Sequence, residues 1–241
     1  MITNSFKTSE LANHRLSIAP MMDCTDRHFR VLMRQITKKS LLYTEMIVAQ
    51  ALHYSKNRNK LLDFDEIEHP ISIQLGGDNP RLLADAAQMA EDWGYDEINL
   101  NIGCPSPKVK SGNFGACLMK KPKIVASCIE RMKKSCNIPI TVKHRLGIDN
   151  FDSDENLMQF VDSCSIAGAD RFIVHARKAW LNGLNPKENR TIPPLQYERV
   201  QKLKSERPEL IIELNGGLNT INECIKTLKI FDGAMVGRAA Y

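Results

Sequence analysis

The side chain with the plainest capacity for chemistry is the thiol of Cys104, in the run Asn99-Leu100-Asn101-Ile102-Gly103-Cys104-Pro105. The apolar residues from Ile98 predict a buried strand ending on Asn101, and Gly103 lets the chain turn sharply after it. Pro105 keeps the preceding residue out of the helical region, so Cys104 sits on a stiff turn at a strand's carboxyl end. Cysteine thiols ordinarily titrate near ~8.5 and are mostly protonated at neutral pH, so a thiol placed here can act as an acid. No base adjoins it in sequence, which argues against a nucleophile. A cysteine that merely ends a strand is the structural alternative.

Other residues could complete such a site. Lys143 lies within the apolar run Ile140-Thr141-Val142-Lys143-His144. A buried ammonium needs an anionic or polar partner. The electron-rich edge of a reduced flavin would serve; so would snorkelling to a rim. Gln74 donates and accepts at once, as the mixed edge of a flavin pyrimidine requires, or it is a satisfied core amide. His175 suits a phosphate or ring edge, or a structural role. Pro20-Met21-Met22 would give a soft apolar floor for a flat ring, or plain core. Asn215-Gly216-Gly217 and Gly237-Arg238 offer backbone N–H groups without an intervening Cβ, plus a guanidinium fork, as phosphate binding requires. Taken singly, each is also an ordinary glycine turn.

The elements that must hold these residues are legible as an alternation. Strands are predicted at Leu16–Ala19, Leu41–Thr44, Ile71–Leu75, Ile98–Asn101, Ile140–His144, Arg171–His175, Leu210–Leu214 and Gly233–Val236. Helices are predicted at Asp26–Thr37 with Thr25 as cap, and at Pro80–Trp93, Pro122–Ser135, Ser153–Ala167, Leu195–Glu206 and Thr220–Leu228. Eight βα units predict a TIM (β/α)8 barrel. An open doubly wound sheet would want a Gly-x-Gly-x-x-Gly after the first strand, where this chain has Ala19-Pro20-Met21-Met22. In barrels the chemistry collects at the carboxyl ends of the strands, and each candidate above falls at one. Two loops exceed connector length. Ser106–Lys121, with Gly112 and Gly115, is expected to act as a lid. Ala176–Pro194 places Arg177, Lys178, Lys187 and Arg190 around Trp180, a pattern suited to a nucleic-acid backbone and an unstacked base, or to a solvated loop.

Composition sets outer limits. The 241 residues suit one barrel domain, expected over 14–241 behind a polar leader, 1–13. A net charge of +5 permits a polyanionic partner without demanding one. Seven cysteines, with no C-x-x-C, read as a reduced cytoplasmic pattern rather than a disulfide frame or metal site. No apolar run approaches membrane length. The chain is expected to bind no metal and no membrane and to act as a monomer.

Together, Ala19-Pro20-Met21 with Thr25-Asp26, Asn101-x-Gly103-Cys104-Pro105, Lys143-x-Arg145, His175-Ala176-Arg177, Asn215-Gly216-Gly217 and Gly237-Arg238 resemble the tRNA-dihydrouridine synthases. His175-Ala176-Arg177-Lys178-Ala179-Trp180 with Pro186-Lys187-Glu188-Asn189-Arg190 most resembles the A-type branch, the tRNA-dihydrouridine(20/20a) synthases. The resemblance implies an FMN enzyme that uses NADPH to reduce uridines 20 and 20a of tRNA to 5,6-dihydrouridine. It assigns FMN contacts to Pro20, Met21, Met22, Gln74, Lys143, His175, Asn215, Gly216, Gly217, Gly237 and Arg238. Cys104 becomes the proton donor to C5, opposite hydride delivery to C6, and Asn101 lies beside the target base. Lys187 and Arg190 touch tRNA, with Arg145 and Arg177 as further anion contacts. The family continues into a barrel-closing helix and a C-terminal helical domain, expected to be absent from a chain ending at Tyr241. Two other functions are consistent with the residues: an FMN dehydrogenase of a free pyrimidine such as dihydroorotate, and a non-catalytic tRNA-binding module.

Overall fold

A computed structural model describes residues 14–241; the predicted leader lies outside the described residues. Eight strands form one sheet: β1 (Leu16–Ile18), β2 (Leu42–Val48), β3 (Ile71–Gly76), β4 (Glu97–Ile102), β5 (Ile140–Arg145), β6 (Arg171–His175), β7 (Ile212–Asn215) and β8 (Gly233–Val236). All neighbouring pairs are parallel, in the order β1-β8-β7-β6-β5-β4-β3-β2. The two ends meet. Ser17 bridges Leu41, the Ile18 N–H donates to the Leu41 carbonyl at 3.0 Å, and the Leu41 N–H donates to the Leu16 carbonyl at 3.0 Å. The sheet therefore closes into the predicted barrel.

The helices are α1 (Arg27–Ile36), α2 (Ala49–Tyr54), α3 (Arg58–Leu62), α4 (Pro80–Trp93), α5 (Pro107–Ser111), α6 (Pro122–Ser135), α7 (Asp154–Ile166), α8 (Tyr197–Glu206) and α9 (Ile221–Thr227). Proline at the first turn of α4 and α6 lacks an N–H the helix would leave unpaired anyway, and both helices fall on their predicted limits. Short α2, α3 and α5 were not predicted, being too brief to show a period. Nor was the length of β2, whose register slips between Tyr43 and Met46 and breaks its alternation.

One cap differs from expectation. Asp26, not Thr25, caps α1 by accepting from the Phe29 N–H at 2.9 Å. Thr25 is turned inward; its hydroxyl accepts from the Met21 N–H at 3.0 Å and faces the Met21 carbonyl at 3.2 Å. That locks the turn carrying Pro20, Met21 and Met22.

Apolar residues on the strands' outer faces, such as Leu75, Ile98, Val142 and Val174, pack against the helices in one core with Leu83, Ala87, Val125 and Val161. Inside the barrel, the end where the strands begin is polar. Arg171 pairs with Glu97 and lies 3.7 Å from Glu213. Glu97 also accepts from Tyr43 (2.9 Å), Ser72 (3.1 Å) and Thr141 (2.8 Å), and Glu213 accepts from Ser17. All seven side chains are buried. Gly233 makes room for them: a Cβ there would lie 2.9 Å from Glu213 Cγ.

Candidate active site

The opposite end of the barrel carries the candidate residues. β4 leads into the Cys104 turn, and the Asn101 side chain braces it by accepting from the N–H groups of Gly103 (3.1 Å) and Cys104 (2.9 Å). Asn101 Nδ2 in turn donates to Gln74 Oε1 at 2.8 Å, and Gln74 Nε2 donates to Asn99 Oδ1 at 2.8 Å. Gln74 is thus a buried amide bonded on both sides within the protein.

Asn101 pairs with Lys143 across β4 and β5. The Lys143 ammonium reaches past β6 to Asn215 Oδ1 on β7 at 3.0 Å, and Asn215 Nδ2 donates to the Met235 carbonyl on β8 at 2.9 Å. Among the described residues no carboxylate lies within ion-pairing distance of Lys143. Burial, aided by the Arg145 cation and opposed by Glu213, pushes Lys143 down to about 7. His175 pairs with Asn215 across β6 and β7. Burial, then the cations Arg145 and Lys143, hold His175 well below the usual histidine range, so the ring is neutral.

The two glycines after Asn215 turn the chain beneath this ring. Gly216 and Gly217 both have positive φ, 108° and 74°. A Cβ on Gly216 would lie 2.7 Å from the His175 ring, and one on Gly217 would lie 2.5 Å from the Tyr197 hydroxyl, which donates to the Gly216 carbonyl at 2.7 Å. Beside Gly237 nothing lies within 4 Å of where a Cβ would stand. Arg238 is exposed, its Nη2 3.4 Å from the Arg190 carbonyl. Pro20 and Met21 are half-buried and Met22 is 54% exposed.

Three expectations change in detail. Arg145 directs its donors to backbone carbonyls rather than to open space: Nε to Gly103 (2.9 Å), and Nη1 to Lys178 (3.1 Å) and Asn189 (3.0 Å). It clamps the Cys104 turn to the loop after β6. Arg177 likewise donates to the Pro193 carbonyl, though its Nε is buried without a partner. The segment Ser106–Lys121 is not a loose lid. Val109, Phe114, Ala116, Leu118 and Met119 bury into the core, and the Ala116 N–H donates to the Cys104 carbonyl at 2.9 Å. A Cβ on Gly115 would lie 2.7 Å from that carbonyl oxygen.

Lys187 and Arg190 are exposed on the loop after β6, around the short turn Glu188–Arg190. Trp180 is half-buried under Lys178, whose Nζ sits 4.3 Å from the ring centroid and 3.1 Å from Asp152. Asn189 is given no role of its own by the sequence. Fully buried, it accepts from the Trp180 N–H (2.8 Å) and donates to the carbonyls of Trp180, Leu184 and Asn185. No local pattern distinguishes it from the loop's other asparagines.

The matches to known proteins agree with this geometry. The family model described as dihydrouridine synthase covers residues 17–241. A tRNA-dihydrouridine(20/20a) synthase of Synechocystis is 59% identical over 226 residues, 94% of this chain and 67% of the relative. One from Xanthomonas axonopodis is 52% identical over 230 residues, and one from Shewanella oneidensis is 49% identical over 241, 71% of its own length. This chain belongs to the dihydrouridine synthase family. A solved 2-naphthoyl-CoA reductase complex shares the fold alone, with TM-score 0.67 at 12% identity, over 92% of this chain and 47% of that one.

The flavin that the sequence resemblance implies can be tested against this chain's residues. Lys143 is a half-buried cation bonded to a neutral amide, Arg177 Nε is buried and unbonded, and the Gly216–Gly217 turn exposes backbone beside a neutral imidazole. An electron-rich ring edge and a phosphate are the groups such a donor set lacks, so the synthase-family mouth fits FMN chemically. Among the described residues no cluster of three or more His, Cys, Asp or Glu could hold a metal.

Proposed function

We propose that this chain reduces uridines 20 and 20a in the D-loop of tRNA to 5,6-dihydrouridine, using FMN and NADPH, as a monomer in the cytoplasm. The observation that carries this reading is the shared rim. The Cys104 turn, Lys143, His175, Asn215 and the paired glycines stand at one end of the barrel, linked through the Asn101–Lys143 pairing and the Lys143–Asn215 bond. Bound FMN, reduced by NADPH, supplies a hydride to uracil C6. Lys143 binds and charge-balances the electron-rich edge of the ring, with Met21 and Met22 beneath it. His175, Gly216, Gly217, Gly237 and Arg238 hold the phosphate. Cys104 delivers the proton to C5 from the opposite face.

The target base must leave its stack to reach such a mouth. Lys187 and Arg190, exposed beside it, contact the tRNA backbone, so affinity falls with salt. No described helix is long and apolar enough to cross a membrane. Mass spectrometry of tRNA from a strain lacking the gene tests the reading. Dihydrouridine at positions 20 and 20a should disappear and return on complementation. Unchanged levels, in a strain with no second enzyme for those sites, would refute it.

A further inference from the structure

An unbroken hydrogen-bonded chain joins the buried Arg171–Glu97 pair to the backbone of Cys104. Thr141 Oγ1 lies 2.8 Å from Glu97 Oε1, and Asn99 Nδ2 lies 2.9 Å from Thr141 Oγ1. Asn99 Oδ1 accepts from Gln74 Nε2 at 2.8 Å, and Gln74 Oε1 accepts from Asn101 Nδ2 at 2.8 Å. Asn101 Oδ1 then accepts from the N–H groups of Gly103 and Cys104. Thr141, Asn99, Gln74 and Asn101 are all buried, so water does not compete for these bonds.

The direction of the chain is fixed from both ends. At the top, backbone N–H groups can only donate, so Asn101 must present its oxygen to them. At the bottom, the hydroxyl proton of Thr141 faces acceptors only: the Glu97 carboxylate, and the Ile98 carbonyl at 3.4 Å. Its lone pair must therefore face Asn99. Side-chain amide orientation is ordinarily ambiguous, but here the three amides can take one orientation alone without leaving a buried group unbonded.

We propose that Thr141 and Asn99 are positioning residues for Cys104, acting through Gln74 and Asn101 to fix the turn that aims the thiol. This rests on the reading of Cys104 as proton donor. Removing the Thr141 hydroxyl leaves the Asn99 amide without its acceptor and frees Asn99, then Gln74, to rotate. The turn then loses its brace, while the flavin-facing cations Lys143 and Arg238 are untouched.

The test compares Thr141→Val with Thr141→Ser in the FMN-loaded protein. Two readouts are taken: iodoacetamide alkylation resolved at Cys104 by peptide mass spectrometry, and kcat and KM for dihydrouridine formation. Thr141→Val should change the Cys104 alkylation rate severalfold and lower kcat by about tenfold or more with KM little changed, as misplacement of a reacting group does. Thr141→Ser should restore both. Parental values for both readouts in Thr141→Val would overturn the proposal, as would failure of Thr141→Ser to rescue. Should Thr141→Val not fold, amide exchange in the unsubstituted chain decides: the Gly103 and Cys104 N–H groups should exchange slowly, and rapid exchange would overturn it. Failure of the donor reading itself looks different, since Cys104→Ala would then stay active whatever Thr141 does.

Discussion

The two ends of the barrel interior handle buried charge in opposite ways. Where the strands begin, Arg171 stands between two carboxylates, and Tyr43, Ser72, Thr141 and Ser17 supply further donors. Where the strands end, Lys143 has a neutral amide for a partner, and the cations Arg145, Lys143, Arg177 and Arg190 act together on His175. A buried charge is tolerated when paired and expensive when not. The first region is ion-paired, though Arg171 Nε and Glu213 Oε2 are left without hydrogen-bond partners, and it serves the fold. The second is stable only at some expense, which an anionic ligand removes. That contrast, rather than any single residue, separates architecture from function in this barrel.

The largest expected effect breaks the ion-paired end. Arg171→Met leaves Glu97 and Glu213 without their cation and should lower stability by about 3–5 kcal/mol, read by urea unfolding of the flavin-free protein. A loss below about 1 kcal/mol would place it among ordinary surface substitutions and void the comparison.

Lys143→Met tests the mouth. It removes a half-buried cation whose bond is to the neutral Asn215 amide, so flavin-free stability should hold or rise. FMN affinity should fall on the order of 10- to 100-fold, the size of a lost charge-assisted hydrogen bond. The pH dependence follows from Lys143 at about 7 in the free protein, below its ordinary 10.5. Between those values the unfolded chain binds the extra proton, so stability should climb with pH from about 7 to 10.5 and flatten in Lys143→Met. An anion favours the ammonium, so FMN binding should weaken as pH rises through about 7 in the parent and lose that step in the variant. Fluorescence titration of FMN across pH reads both.

The smallest effect sharpens the boundary. Asp26 stands near the mouth but serves only the fold, as cap of α1. Asp26→Ala should cost about 1 kcal/mol of stability and leave FMN affinity unchanged by fluorescence titration.

Much of this was readable in the chain, for physical reasons that differ by residue. Short apolar runs gave the strands and amphipathic spacing gave the long helices, since the strands are buried on both faces and the helices on one. Glycine marked the Gly216 turn because few other residues adopt its positive φ, and Pro105 marked the Cys104 turn because it keeps the residue before it out of the helical region. The partners of Arg145 and Arg177 were not readable: a guanidinium beside an active strand looks the same whether it faces solvent or a carbonyl. Asn99 and Asn189 were also silent, because a buried amide acts through neighbours distant in sequence. The loop Ser106–Lys121 misled because its glycines suggest freedom. In the structure Gly115 is small to admit close packing against the Cys104 carbonyl.

The most direct test is the purified chain, loaded with FMN and supplied with NADPH and tRNA lacking dihydrouridine, compared with Cys104→Ala. Both proteins should show the same flavin absorbance and FMN affinity. Dihydrouridine formation should drop by roughly 10²- to 10⁴-fold in the variant, as loss of a positioned general acid requires. Turnover within about twofold of the parent, or a protein that takes up no flavin at all, would contradict the account.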